Sequence, residues 1–276
     1  MTDGPRVLYE TRDEGRIAVV TMNRARYRNP LSVQMMRELV TAFDRAAEDD
    51  GVRVVILRGD GPTFSAGHDL GSPDAEEMRA EMAGVPFSRR VERSREMDLE
   101  PLMRLRNIPK PTVAVVQGAC IYAAWMLAAS MDVIFAAEDA QFLPTNFSVF
   151  TVPWDIGARQ AKYLIYDNRF IDGRRAKEIG FVQEVHPAGE IEAAAMAYAV
   201  RVAKNDPFQL RMMKHSVHQM QEVQGFTAHI QSSFADRMVR GANTDVAISQ
   251  AQEDPSKRRL YLSVERARAN RETAPE

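Results

Sequence analysis

Two stretches of this chain could build an anion site from backbone alone. In Thr63-Phe64-Ser65-Ala66-Gly67-His68-Asp69-Leu70, Gly67 lets the chain turn sharply beside a ligand. Residues 123–131, AAWMLAASM, read as a helix whose first N–H groups point outward, where its dipole favours negative charge. Two donors fixed in advance would stabilise a carbonyl oxygen that gains charge as a bond is made or broken beside it. Taken singly, each stretch reads equally well as an ordinary strand-to-helix turn or a buried helix. Other reactive side chains are sparser. The single Cys120 excludes an internal disulfide and any multi-cysteine zinc site, and a buried, inert thiol is the default reading. The five histidines show no metal-ligand spacing; His215 and His218 fall at i, i+3 on a predicted helix and read as surface residues. Glu92, Glu96 and Asp98 form a charge run of the kind that usually faces solvent.

These groups must be carried by alternating strands and helices. β-rich runs recur at Ile17 to Met22, Val52 to Arg58, Thr112 to Val116, Asp132 to Ala136 and Phe181 to Val185. The spacing between them predicts repeated ββα or βα units. Asn29 can cap the first helix, Pro30 suits its first position, Met36, Leu39, Val40, Phe43 and Ala47 recur at helical spacing, and Gly51 ends it. Residues 72–108 are charged and irregular in pattern, with Pro73, Pro86 and Pro101 interrupting helical pieces that include Phe87 to Arg95, which predicts a mobile segment. Beyond about residue 190 strand signals stop and helices dominate, with breaks near Asn205-Asp206-Pro207 and Gly241-Ala242-Asn243. The end, from Arg259, predicts a solvated helix with a frayed terminus. Two regions result: a core over 1–190 and a helical region over 191–276.

With 276 residues the chain can bury a sizeable core. Its 36 basic and 38 acidic side chains leave a net charge of −2, and no basic helix is interleaved with aromatics, so neither nucleic acid nor another polyanion is an expected partner. No window approaches ~18 uninterrupted apolar residues and residues 1–16 carry no leader pattern, which predicts a cytoplasmic protein that does not enter a membrane.

Three segments, in order, resemble the enoyl-CoA hydratase/isomerase (crotonase) superfamily. Met22-Asn23-Arg24-Ala25-Arg26-Tyr27-Arg28-Asn29-Pro30-Leu31 is similar to that family's "NRPxxxNAL" stretch, with Ala25 and Pro30 departing from it. Thr63 to Leu70 matches its "F(S/A)AGxDL" almost letter for letter. Ile108-Pro109-Lys110-Pro111 through Gln117-Gly118 to Ala123-Ala124 resembles "PKPxIAAVxGxxxGGG", with the glycines replaced by Tyr122, Ala123 and Ala124. The resemblance implies a crotonase-like α/β spiral of ββα units and a C-terminal helical region that assembles homotrimers or dimers of trimers and completes the acyl-CoA site. It implies that an acyl-CoA thioester is bound and its enolate stabilised by the N–H groups of His68 and Ala123, with no cofactor or metal beyond coenzyme A as part of the substrate. Ala66, His68 and Leu70 would wall the CoA, Arg24 or Arg26 would meet its phosphates, and Asp69 would hold the turn.

The departures bear on mechanism. Where family hydratases carry two glutamates, this chain resembles them only in position, with Met126 at the first and Asn146 or a neighbour at the second. A thioether moves no proton, and an amide can orient water but not act as its base. Asp155, in Asp155-Ile156-Gly157-Ala158-Arg159-Gln160, resembles the "DVGxxQ" of family dienoyl-CoA isomerases and 3-hydroxyisobutyryl-CoA hydrolase. Beside Trp154, Val152 and Met126 it would be partly desolvated, with a pKa raised toward the useful range; equally, it could cap a helix beginning near Gly157. The Tyr122 hydroxyl could donate to the acyl group or simply pack, and Trp125 and Met126, with Trp154, would line an apolar acyl pocket. A thioester-processing enzyme of hydratase, isomerase or hydrolase type is the expectation. The rival is a non-catalytic CoA-binding scaffold, which Met126 and Asn146 favour and Asp155 and Tyr122 oppose.

Overall fold

A computed structural model describes residues 4–144, 151–242 and 264–270. Its principal sheet has six strands: β1 (Val7–Arg12), β2 (Ile17–Met22), β3 (Val54–Gly59), β4 (Thr112–Val116), β6 (Val133–Ala137) and β8 (Glu184–His186), in the order β1-β2-β3-β4-β6-β8. Only the β1–β2 hairpin is antiparallel; β2 onward is parallel. β2 and β4 are buried at every position, which explains their uninterrupted apolar runs: a parallel strand covered on both faces has no polar face to alternate with. A small second sheet pairs β5 (Ala119–Ile121) with β7 (Gln141–Leu143), extended by bridges from Ser65 to Cys120 and from Phe142 to Ile171. The chain thus visits the large sheet and then the small one in turn: β3 then Ser65, β4 then β5, β6 then β7. This is the expected spiral of ββα units, with helices α1 (Val33–Glu48), α5 (Ala123–Ala129), α6 (Val152–Ile156), α7 (Ala158–Asp167) and α8 (Gly173–Glu178) between the turns.

The C-terminal region is helical as expected, with α9 (Ile191–Ala203), α10 (Pro207–Val223) and α11 (Phe226–Ala242). Asp206 caps α10 by accepting from the Gln209 N–H, and Pro207 occupies its first turn, where a missing N–H costs nothing. No helix among the described residues is long and apolar enough to cross a membrane.

Several expectations are corrected. Asn29 does not cap α1; Ser32 does, through the Met35 N–H at 3.1 Å. Asn29 instead is fully buried at φ +50°, accepting from the Arg24 N–H and donating to the Asp60 and Thr63 carbonyls. Its short amide suits this left-handed backbone and ties three loops. Residues 72–108 do hold helical pieces, from Phe87 as expected: α2 (Pro73–Met82), α3 (Phe87–Ser94), a π-helical turn over Arg95–Leu99 and α4 (Glu100–Arg106). Pro73 and Pro86 stand at helix starts, but Pro101 interrupts nothing: it lies in the first turn of α4, which follows the π-helical turn directly. The helical piece at 264–270 is not fully solvated either, because Ala267 is buried against Ile121, Tyr122 and Leu143.

Candidate active site

Gly67 stands at φ +85°, and a side-chain carbon placed there would lie 2.3 Å from the Ile121 carbonyl oxygen and 3.5 Å from the Ala123 nitrogen. Only glycine permits this approach of the 66–69 loop to the start of α5. The loop's other N–H groups are committed: Ser65 donates to Ala119, Ala66 to Arg28, Gly67 to the Ser65 hydroxyl and Asp69 to Leu31. The parallel bridge between Leu31 and His68 uses the Gly67 carbonyl and the Asp69 N–H, which turns the His68 N–H the other way. That N–H has no acceptor among the described residues, nor has the N–H of Ala123, the first residue of α5. Tyr122, between the two segments, takes the strained conformation φ +49°, ψ −99° and anchors the turn by donating its N–H to Leu143. Asp69 holds the loop as expected, accepting from the Gly71 and Ser72 N–H groups and the Ser72 hydroxyl.

Around this turn, Ala66, His68 and Leu70 are all partly exposed and Arg26 is exposed, as CoA-contacting residues need. Arg24 is different. Its guanidinium is buried against Asp74 at 3.0 Å, and Arg6 and Ser32 donate to the same carboxylate. Those hydrogen bonds hold Asp74 far below the usual carboxylate range. Arg24 is thus committed to this inner cluster, whereas Arg26 is exposed, and no sequence signal separates the two.

Asp155 lies in the last turn of α6 and caps nothing: the N-cap of α7 is Gly157. Its Oδ2 accepts from Trp125 Nε1 at 3.1 Å and Thr151 Oγ1 at 2.8 Å. Burial pushes its pKa up to about 6 against the opposing effect of those two donors. The carboxylate opens into a cavity of about 300 Å³ whose walls include Trp154, Ser130, Met131, Arg106, His218 and Phe226. Trp154 donates its indole N–H to His229 Nδ1 at 2.9 Å and meets Phe226 edge-on, so α6 is joined to α11.

Trp125 is fully buried, stacked 3.7 Å from Phe181, and Met126 is buried in the same core; neither is among the residues that line this cavity. The Tyr122 hydroxyl lies 3.3 Å from Asn168 Oδ1, and Tyr122 packs with Ile121, Leu143 and Ala267. Asn146 lies outside the described residues. His218 is not a surface residue: it lies half-buried 4.0 Å from Asp132, its pKa lowered to about 4 by burial and by Arg106 and Lys214. Cys120 is buried, with its thiol pushed up by desolvation, and is inert as expected. Among the described residues, no group of His, Cys, Asp and Glu is placed to hold a metal ion.

The sequence and the fold recur in known proteins. Residues 12–242 match the Enoyl-CoA hydratase/isomerase family. EchA13 of Mycobacterium tuberculosis is 37% identical over 248 residues, covering 83% of this chain and 78% of its own. Enoyl-CoA hydratase EchA19 of the same organism is 30% identical over 229 residues, covering 78% and 81%. The crystal structure of an enoyl-CoA hydratase/isomerase from Xanthobacter autotrophicus Py2 superposes with a TM-score of 0.79 at 28% identity, covering 98% of this chain and 99% of its own. With the match spanning most of its length and the same spiral fold, the chain belongs to the enoyl-CoA hydratase/isomerase family and is an enzyme of that type.

Proposed function

We propose that the protein acts on acyl-CoA thioesters through an enolate held by the N–H groups of His68 and Ala123, with Asp155 as a proton-transfer group in place of paired glutamates. The observation that carries this reading is the contact of Gly67 with Ile121, which brings two backbones together with one uncommitted N–H on each. Charge developing on the thioester oxygen needs just such fixed donors, and they cost no reorganisation during reaction. A carboxylate titrating near 6 exchanges protons readily at neutral pH. A scaffold would have no use for a buried acid held so close to its midpoint. The CoA moiety lies against Ala66, His68 and Leu70, with Arg26 available to its phosphates and no further cofactor in the cycle.

Assembly into trimers, or dimers of trimers, fits the surface of α10. This 17-residue helix buries none of its residues, and Phe208, Met212, Met213, Met220 and Val223 are exposed along it. A patch of that composition is a contact surface.

The test is turnover of a panel of acyl-CoA esters in water enriched in heavy oxygen, read by mass spectrometry. Label gained with the thioester intact means hydration, free acid means hydrolysis, and a shifted double bond without label means isomerisation. Ala123→Val, which crowds the carbonyl beside its donor, should lower kcat by roughly a hundredfold or more, on the scale of losing one oxyanion donor. Unchanged turnover in a folded Ala123→Val protein removes Ala123 from the site.

A further inference from the structure

The side chain of His68 has surroundings that its role as a backbone donor does not explain. Its Nδ1 lies 4.0 Å from Asp98 Oδ1, and the other oxygen of Asp98 is clamped by Arg237 of α11. Asp98 lies in the π-helical turn Arg95–Leu99, a distortion of helix geometry that is frequent at functional sites. A second tie, from Arg95 Nη1 to Gln231 Oε1 at 2.9 Å, fixes the same turn to α11. Asp98 is only 14% exposed, whereas Glu92 and Glu96 of the same charge run are 56% and 60% exposed. The turn therefore selects one acid out of three and aims it at the imidazole. The ring itself keeps 23% of its surface open.

We propose that His68 is a catalytic residue in its own right: the imidazole takes the proton from the carbon next to the thioester while the N–H of the same residue holds the oxygen. Asp98 and Arg237 are its positioning residues. This rests on the acyl-CoA reading above. With Nδ1 turned to Asp98, Nε2 is the nitrogen on the opposite edge of the ring, left to face a substrate whose carbonyl oxygen the N–H of the same residue would hold. The step balances within the pair. The α C–H bond breaks, its electrons form the enolate double bond, and the proton passes to Nε2. The oxygen bears the charge against the N–H groups of His68 and Ala123, while Asp98 faces the imidazolium. Returning a proton to the same carbon gives exchange; returning it two carbons further along an unsaturated chain gives isomerisation. Desolvation lowers the His68 pKa, with Asp98 raising it and Arg237 lowering it in turn, so the ring is neutral and able to accept. A 4.0 Å separation is longer than a hydrogen bond, and pairs of this kind tighten when substrate arrives.

The experiment measures α-proton exchange of acetyl-CoA, butanoyl-CoA and 3-butenoyl-CoA in deuterium oxide, with thioester affinity measured alongside by calorimetry. The wild type should exchange at least one of the three. His68→Gln keeps the backbone donor and should slow that exchange by roughly a hundredfold or more at saturating thioester, where any loss of affinity does not enter. Asp98→Asn should move the acid limb of the rate profile to lower pH, because the carboxylate that raises the His68 pKa is gone; a purely structural Asp98 leaves that limb in place. Exchange by His68→Gln at the wild-type rate overturns the inference and leaves the proposed function standing. Binding without exchange by the wild type does the same, whereas a wild type that binds none of the three thioesters removes both. If His68→Gln does not fold, an unmoved acid limb in Asp98→Asn is the overturning result.

Discussion

The two ends of α5 make their chemistry by opposite means. At the N-terminal end, around Gly67 and Ala123, the polar groups are backbone N–H donors, and what matters is that small residues let two chains touch. At the C-terminal end, where Ala129, Ser130 and Met131 meet the Asp155 cavity, the polar groups are buried side chains whose charge is set by their surroundings. A backbone site should tolerate a change of chemistry and fail on a change of volume; a side-chain site should do the reverse.

The largest effect should come from volume at the N-terminal end. Gly67→Ala forces a β-carbon within 2.3 Å of the Ile121 carbonyl at φ +85°. It should cost about 3 kcal/mol of stability and abolish turnover, as urea titration and the acyl-CoA assay would show. A stable, active Gly67→Ala protein would mean that the loop and α5 do not touch as described.

The next effect should come from chemistry at the other end. Asp155→Asn keeps shape and still accepts from Trp125 and Thr151, so turnover should fall roughly a hundredfold to ten-thousandfold with little change in thioester affinity. Stability should move in the opposite direction. A carboxyl whose folded pKa is about 6, above its unfolded value of about 3.9, binds more protons when folded. Its contribution to stability is therefore lost as pH rises from about 4 to 6. Above that window the ionised group disfavours the fold by up to about 3 kcal/mol, and Asp155→Asn should recover part of it. Thermal melts of both proteins at about pH 5 and pH 8 check this; equal differences at the two pH values would show that Asp155 is not desolvated. Both outcomes concern one oxygen pair, yet activity and stability shift in opposite senses, as expected where a site is strained for function.

The smallest effects separate two arginines that sequence treats alike. Arg26→Ala should weaken CoA-ester binding about 3-fold to 10-fold with stability unchanged, since the side chain is exposed. Arg24→Met should instead lower stability, because it removes one of the donors to Asp74, and should leave binding nearly intact. The reverse pattern would return Arg24 to the CoA site.

Much of this was legible in the residues. The apolar runs of β2 and β4, the turn at Gly67, the break at Asn205-Asp206-Pro207 and the buried Cys120 follow from local rules: periodicity, glycine's freedom, turn chemistry. Misreadings came where two local rules competed. Pro30 and Asn29 looked like a helix start, but Asn29 was needed to bind Arg24, Asp60 and Thr63, and the cap passed to Ser32. Pro101 signalled a break, yet it lies in the first turn of α4, which follows the π-helical turn directly.

The sequence by itself determined the runs that became β2, β3, β4, β6 and β8, the helical C-terminal region, the family resemblance and the glycine of the 66–69 turn, because each is written in neighbours a few residues apart. Tertiary structure alone decided the surroundings of the charged groups. Asp155 has its pKa raised by burial and is held by Trp125, 30 residues away, Arg24 is paired with Asp74 at a separation of 50, and Asp98 is fixed by Arg237 at 139. The charge state and direction of a side chain depend on desolvation and on partners brought together by folding, and neither is a property of the residues beside it in the chain.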